Sequence, residues 1–143
     1  FERDETIAAL LEDGLSRAGN NPVVSDIAKR MSLERSDSLQ YLAALAKSDD
    51  VLPDVIYLDP MFPARQKSAA VKKKFQLLHV LENPCDEAEE ETLIRAAFAA
   101  GPRKVVIKRP VKGGHLAGIK PSYSITGKAV RYDVLVPPST KLQ

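Results

Sequence analysis

Val55-Ile56-Tyr57-Leu58-Asp59-Pro60-Met61-Phe62-Pro63 sets four apolar, β-prone residues against an abrupt Asp-Pro stop. A continuous run of this kind reads as a strand buried on both faces of a parallel sheet. A second such run covers 104–108, where Val105-Val106-Ile107 is followed by Arg109-Pro110. Between the two, apolar spacing predicts a helix over 68–81, with Val71, Phe75, Leu78 and Leu81 on one side. A further helix is predicted over 86–100, stopped by Gly101-Pro102. Strands alternating with helices point to a parallel α/β sheet with right-handed crossovers.

Upstream, Ile7, Leu10, Leu11, Leu15 and Ala18 recur at helical spacing, and Gly19-Asn20-Asn21-Pro22 ends the run. An amphipathic helix over 6–18, packing on something, is the expectation. A short helix is predicted over 25–30, and Met31-Ser32-Leu33 alternates like a short strand. Ser36-Asp37-Ser38 then offers N-cap oxygens to a helix from Leu39 to about Ala46. Downstream, 122–126 and 129–136 are strand-like runs around Gly127-Lys128, which suits a tight antiparallel hairpin. The fold class is therefore α/β: a doubly wound, mostly parallel sheet of Rossmann-like type with a C-terminal antiparallel hairpin. That combination belongs to the methyltransferase variant of the doubly wound fold. No repeat, low-complexity tract or linker calls for a second domain.

Composition narrows the partners. An apolar content of 44 % over 143 residues is enough for one buried core and argues against disorder. No stretch reaches the roughly 18 uninterrupted apolar residues of a membrane span, and the start lacks the order of a signal peptide, so a cytoplasmic location without a membrane partner is expected. Cys85 stands alone, which excludes an internal disulfide, and no Cys/His spacing suits a metal. Residues 1–58 carry 6 basic and 11 acidic side chains (−5), whereas 59–143 carry 15 and 8 (+7). The second part is the candidate polyanion face.

Open α/β sheets bind ligands beyond the carboxyl ends of their strands, so the residues after each strand carry the candidate chemistry. Glu2, read as following the tail of a strand at Phe1-Glu2, can accept hydrogen bonds from ribose hydroxyls; it also reads as a surface glutamate. Asp37 and Ser38 can bond an adenine amine or simply cap a helix. Asp59-Pro60-Met61-Phe62 is the most informative segment. The lone pair of a guanine N2 amine is delocalised into the ring, and two acceptors are needed to draw its hydrogens out of plane. The Asp59 carboxylate and Pro60 carbonyl are suitably spaced acceptors, and Phe62 can stack on an extruded base. Alignment with a sulfonium methyl then acts through proximity, without metal. A plain Asp-Pro turn is the structural alternative. Lys108-Arg109-Pro110 and the loop holding Lys112, Gly113, Gly114, His115 and Lys120 suit phosphate contact, or are ordinary surface. Arg65, Lys67, Lys72, Lys73 and Lys74 make the start of the following helix basic. His79 and His115 show no evident partner and read as surface or partly buried side chains.

The run from Val55 to Pro63 with Lys67-Ser68-Ala69-Ala70-Val71-Lys72-Lys73 closely resembles the RsmJ family of ribosomal RNA methyltransferases. Val105-Val106-Ile107-Lys108-Arg109-Pro110, His115-Leu116-Ala117-Gly118, Thr126-Gly127-Lys128 and Ala8-Ala9-Leu10-Leu11-Glu12-Asp13-Gly14-Leu15 are similar to the same family. The resemblance implies methyl transfer from S-adenosylmethionine to N2 of one guanine in 16S ribosomal RNA, free or in the small ribosomal subunit, in the cytoplasm. It implies catalytic roles for Asp59, Pro60 and Phe62 and cofactor contacts at Glu2, Arg3, Asp37, Ser38 and Asp59. RNA contacts are expected at Arg65, Lys67, Lys72, Lys73, Arg109 and Lys112. Asp37-Ser38 replaces a pair of hydroxyls, while Met61 and Phe62 stand where the wider motif commonly has proline and tyrosine.

None of the seven glycines follows a strand in the manner of a cofactor-cradling loop, and the chain opens without Met, in what reads as a strand. The expectation is that residues 1–143 are the C-terminal part of a single methyltransferase domain whose first strand and glycine-rich loop lie outside them. Competing readings are an RNA-binding module of this fold without activity, and a methyltransferase acting on adenine or a small-molecule amine.

Overall fold

The computed structural model describes residues 1–48, 51–60 and 87–137. The helix expected over 68–81, together with His79 and Cys85, lies outside the described residues. The chain divides into two compact units, residues 1–41 and 42–143.

In the first unit, helix α1 (Glu5–Gly19) starts where Asp4 Oδ1 accepts from the backbone N–H groups of Thr6 and Ile7, both at 2.9 Å. Glu5 in the first turn and Arg17 in the last complement the helix dipole. The apolar stripe is only partly used: Ala8 is buried and Ile7, Leu15 and Ala18 half-buried, while Leu10 and Leu11 are exposed. Helix α2 (Ser25–Ala28) packs against α1. The strand expected at Met31-Ser32-Leu33 does not form. Its segment meets the N-terminal residues through one backbone bond, Glu2 N–H to Glu34 O at 3.0 Å, and a single bond is not a ladder. Phe1-Glu2 is likewise not a strand. Helix α3 (Ser38–Leu45) is capped as expected, with Asp37 Oδ1 accepting from Leu39 N–H at 2.7 Å.

The second unit contains a four-stranded sheet in the order β1-β2-β4-β3, where β1 is Val55–Leu58, β2 Lys104–Pro110, β3 Tyr123–Thr126 and β4 Val130–Leu135. β1 and β2 are parallel with Leu58 opposite Ile107, and β4 is antiparallel to both β2 and β3. Helix α4 (Glu87–Ala99) precedes β2 and ends at Gly101, whose φ of +68° gives the left-handed C-terminal cap that glycine favours. Ile94 and Ala97 of α4 pack on Ile56, Leu58, Val105 and Ile107, with Leu42, Leu116 and Leu135 closing the core. Each fully buried aliphatic side chain here, such as Ile94 or Val105, contributes about 1.5–3 kcal/mol.

Two expectations need correction. β1 is buried on one face only: Ile56 and Leu58 enter the core, whereas Val55 and Tyr57 are half exposed. Strand alternation puts those two on the face opposite the core, where Tyr57 meets Tyr132 at 6.5 Å between ring centroids. The hairpin forms, but Thr126 pairs with Arg131, so its connection is wider than a two-residue turn at Gly127-Lys128. Gly127 N–H to Val130 O, 2.8 Å, closes it instead.

Candidate active site

Asp59 follows β1 at the carboxyl end of the parallel pair, the end where such sheets bind ligands. Its Oδ2 accepts from Lys108 Nζ of β2 at 2.7 Å, and its side chain remains 42 % exposed, so the carboxylate is held yet accessible. Pro60 is buried. The hydrogen bond to Asp59 raises the Lys108 pKa against the opposing effect of burial, which keeps the ammonium charged. Burial, followed by the Asp59 charge, raises the Tyr57 phenol. An acidic, a basic and two aromatic side chains (Asp59, Lys108, Tyr57 and Tyr132) thus gather at one strand end.

On the core-facing side of the same sheet end, two buried ion pairs clamp the segment that follows β2. Arg109 is 8 % exposed; its Nε donates to Gly114 O at 2.9 Å and its Nη1 to Glu90 Oε1 of α4 at 3.3 Å. The expected phosphate contact of Arg109 is therefore corrected: its strand position turns the guanidinium inward, where it braces the loop. Glu90 Oε2 also accepts from Ala117 N–H at 2.9 Å. Gly113 N–H bonds Pro110 O at 2.9 Å in a turn with little space for a side chain, since a Cβ there would lie 3.0 Å from Pro110 Cδ.

The second pair is Asp133, 2 % exposed, with Arg131. Arg131 Nε and Nη2 reach its two oxygens at 2.7 and 2.8 Å, and Ser124 Oγ donates to Oδ1 at 2.6 Å. His115 Nδ1 lies 2.9 Å from Oδ2. Burial pushes the Asp133 carboxyl up, but the hydrogen bonds from Arg131, Ser124 and His115 outweigh it and hold the group well below the usual carboxylate range. A carboxylate acceptor fixes the imidazole tautomer with its proton on Nδ1. Arg131 Nη1 additionally donates to Val111 O at 3.1 Å.

Of the other expected site residues, Glu2, Arg3, Asp37 and Ser38 fall in the first unit. Glu2 Oε1 accepts from Asp4 N–H at 2.8 Å and Asp37 Oδ1 caps Leu39, so each carboxylate commits one oxygen to the backbone. The second oxygen of each has no hydrogen-bond partner among the described residues, which suits ligand hydroxyls or an amine. Lys112 is exposed. Met61, Phe62, Arg65, Lys67, Lys72 and Lys73 lie outside the described residues. Among the described residues no group of three or more His, Cys, Asp or Glu side chains is arranged to hold a metal ion.

Sequence reasoning missed Lys108 as a partner of Asp59, Glu90 as a clamp, and the Arg131-Asp133 pair that gives His115 its partner. A signal for the last was present. Arg131 and Asp133 are two apart in a strand, hence on one face, and that face also carries the core residue Leu135.

The chain belongs to a family of S-adenosylmethionine-dependent methyltransferases: residues 1–137 match the family model described as "Putative SAM-dependent methyltransferase". It is 44 % identical over 138 residues to the ribosomal RNA small subunit methyltransferase J of Neisseria gonorrhoeae (strain NCCP11945), covering 96 % of this chain and 54 % of that protein. It is 47 % identical over 133 residues to the protein of the same name from Pseudomonas aeruginosa (strain UCBPP-PA14), covering 93 % of this chain and 49 % of that protein. A crystal structure of an S-adenosylmethionine-dependent methyltransferase from N. gonorrhoeae superposes with a TM-score of 0.74 at 35 % identity, over 97 % of this chain and 52 % of that one. The chain thus spans about half the length of the relatives it matches. Among the described residues no helix is long and apolar enough to cross a membrane.

Proposed function

We propose that this chain forms part of an enzyme that transfers a methyl group from S-adenosylmethionine to the exocyclic N2 amine of a guanine in small-subunit ribosomal RNA, in the cytoplasm. The observation that carries the reading is Asp59-Pro60 at the carboxyl end of β1, with the Asp59 carboxylate held 2.7 Å from Lys108 and still open to solvent. The relatives named for ribosomal RNA methylation support the substrate class.

S-adenosylmethionine, when bound, supplies an electrophilic methyl group. The family resemblance implies cofactor contacts at Glu2, Arg3, Asp37, Ser38 and Asp59. Lys108 occupies one side of the Asp59 carboxylate and leaves Oδ1 to accept a hydrogen from the guanine amine. The Pro60 carbonyl takes the other hydrogen, and Phe62 stacks on the base. Together they turn the amine lone pair out of the ring plane and toward the methyl carbon, so the rate gain comes from orientation and from acceptors placed in advance. Arg65, Lys67, Lys72, Lys73 and Lys112 contact RNA backbone, which makes binding fall with salt.

The test is Asp59→Ala in the intact protein that contains this chain, assayed with small-subunit ribosomal RNA and radiolabelled cofactor. Methyl transfer should fall by at least about a hundredfold, with the folded-state spectrum unchanged, because the side chain is 42 % exposed and no core atom is lost. Near-normal turnover would reduce Asp59 to a turn residue.

A further inference from the structure

We infer that the segment 111–118 is a built RNA-reading loop in which His115 presents Nε2 as a hydrogen-bond acceptor to a donor group on the RNA beside the target base. The inference rests on the methyltransferase reading above and adds to it a recognition residue and its chemistry.

Three observations carry it. The loop leaves β2 at its carboxyl end, as Asp59 leaves β1, so both face the end of the sheet where ligands bind. Leu58 pairs with Ile107 and Ile107 with Asp133, so the carboxylate that holds His115 sits two strands away from the residue before Asp59. That separation is about 10 Å at the usual strand spacing, too far for the reacting amine but within reach of the same RNA strand.

The loop is also fixed in one conformation from four sides. Arg131 holds Val111 O, Arg109 holds Gly114 O, Glu90 holds Ala117 N–H and Asp133 holds His115. Ala117 adopts φ 47°, a left-handed backbone conformation that is strained for a non-glycine residue. Strain of this kind persists where surrounding contacts impose it, and it concentrates at binding loops.

Finally, the imidazole is directional. Asp133 is 2 % exposed and accepts a hydrogen bond from Nδ1–H, whereas the His115 side chain is 38 % exposed and its Nε2 has no hydrogen-bond partner among the described residues. With Nδ1–H on Asp133, the neutral form of the imidazole offers Nε2 outward as an acceptor, which selects an N–H or O–H donor over a phosphate. RNA supplies two such donors, the ribose 2′-hydroxyl and base N–H groups.

The experiment uses the intact protein and compares wild type with His115→Ala, His115→Gln and His115→Lys. Readouts are kcat, KM for RNA, cofactor Kd and thermal stability. His115→Ala should raise KM for RNA about tenfold, the usual effect of deleting one hydrogen bond, with cofactor Kd nearly unchanged and the protein still folded at the assay temperature, since Asp133 keeps its bonds from Arg131 and Ser124. His115→Gln, which can donate to Asp133 and accept outward, should recover most of the loss. Single 2′-deoxy substitutions beside the target guanine distinguish the donors. A position whose loss is not additive with His115→Ala identifies the ribose hydroxyl, and additivity at every position identifies a base N–H. An unchanged KM for RNA, a loss explained by lower stability, or rescue by His115→Lys but not by His115→Gln overturns the inference. If wild type transfers no methyl group to RNA, the proposed function itself fails and this inference goes with it.

Discussion

Replacing Asp133 by Asn tests whether the buried network on β4 is held by charge. The side chain keeps its shape, but the carboxylate that accepts from Arg131 at 2.7 and 2.8 Å, from Ser124 at 2.6 Å and from His115 at 2.9 Å is lost. An amide offers one acceptor oxygen, and its NH2 group then faces a donor at under 3 Å. Arg131, with its side chain 13 % exposed, loses its counter-ion. Removing one partner of a buried pair typically costs about 3–5 kcal/mol; Arg131 retains its bond to Val111 O, which argues for the lower end, about 3 kcal/mol. The pH dependence has a defined sign. The folded-state pKa of Asp133 is depressed, so its contribution is fully present above the unfolded pKa of about 3.9 and is lost as pH falls below it, by about 1.4 kcal/mol per pH unit. Urea denaturation of the intact wild-type and mutant proteins at pH 7 and pH 3 measures both quantities. The difference between them should shrink by about 1 kcal/mol on going to pH 3. A difference below about 1 kcal/mol at pH 7, or one that does not change with pH, would refute the electrostatic reasoning.

Glu90→Gln should weaken the clamp on Arg109 and Ala117, lowering stability by about 1–3 kcal/mol and speeding hydrogen exchange at the Ala117 amide; unchanged exchange there would contradict the clamp. Lys108→Met leaves the Asp59 carboxylate free to rotate, so kcat should fall about tenfold or more while stability changes by less than about 1 kcal/mol, since the pair is half exposed. Steady-state kinetics showing wild-type kcat would remove Lys108 from the machinery. Asp4→Ala removes the cap of α1 and should cost about 1 kcal/mol, read as faster exchange at the Thr6 and Ile7 amides; equal protection in the two proteins would mean the cap contributes nothing.

Legibility in the sequence followed the range of the interactions. The end of α1 was readable from Gly19-Asn20-Asn21-Pro22 and the start of α3 from Asp37, which acts on an amide two residues away, whereas the Asp4 cap of α1 was not read. The strand 104–108 and the C-terminal hairpin were readable from apolar runs and a glycine turn, although the turn's width depends on register, which local residues do not fix. β1 reads as buried on both faces because the bulk of all four side chains from Val55 to Leu58 is apolar and β-prone, and the sequence does not show that one face stays open. Asp59 could be found by its place after a strand. Its partner Lys108 could not, because the 2.7 Å contact joins residues far apart in the chain. For the same reason Arg109 read as a surface cation while its bond to Glu90 was invisible, and His115 read as a histidine without a partner.

Methyl transfer to a guanine N2 amine can be observed in its product. The direct measurement is to incubate the intact protein that contains this chain with unmodified small-subunit ribosomal RNA and isotopically labelled S-adenosylmethionine, digest the RNA to nucleosides, and identify the labelled product by mass. Label is expected in N2-methylguanosine alone, and absent with Asp59→Ala. Label in a methylated adenosine, or binding of RNA with no label transferred, would contradict the proposed function.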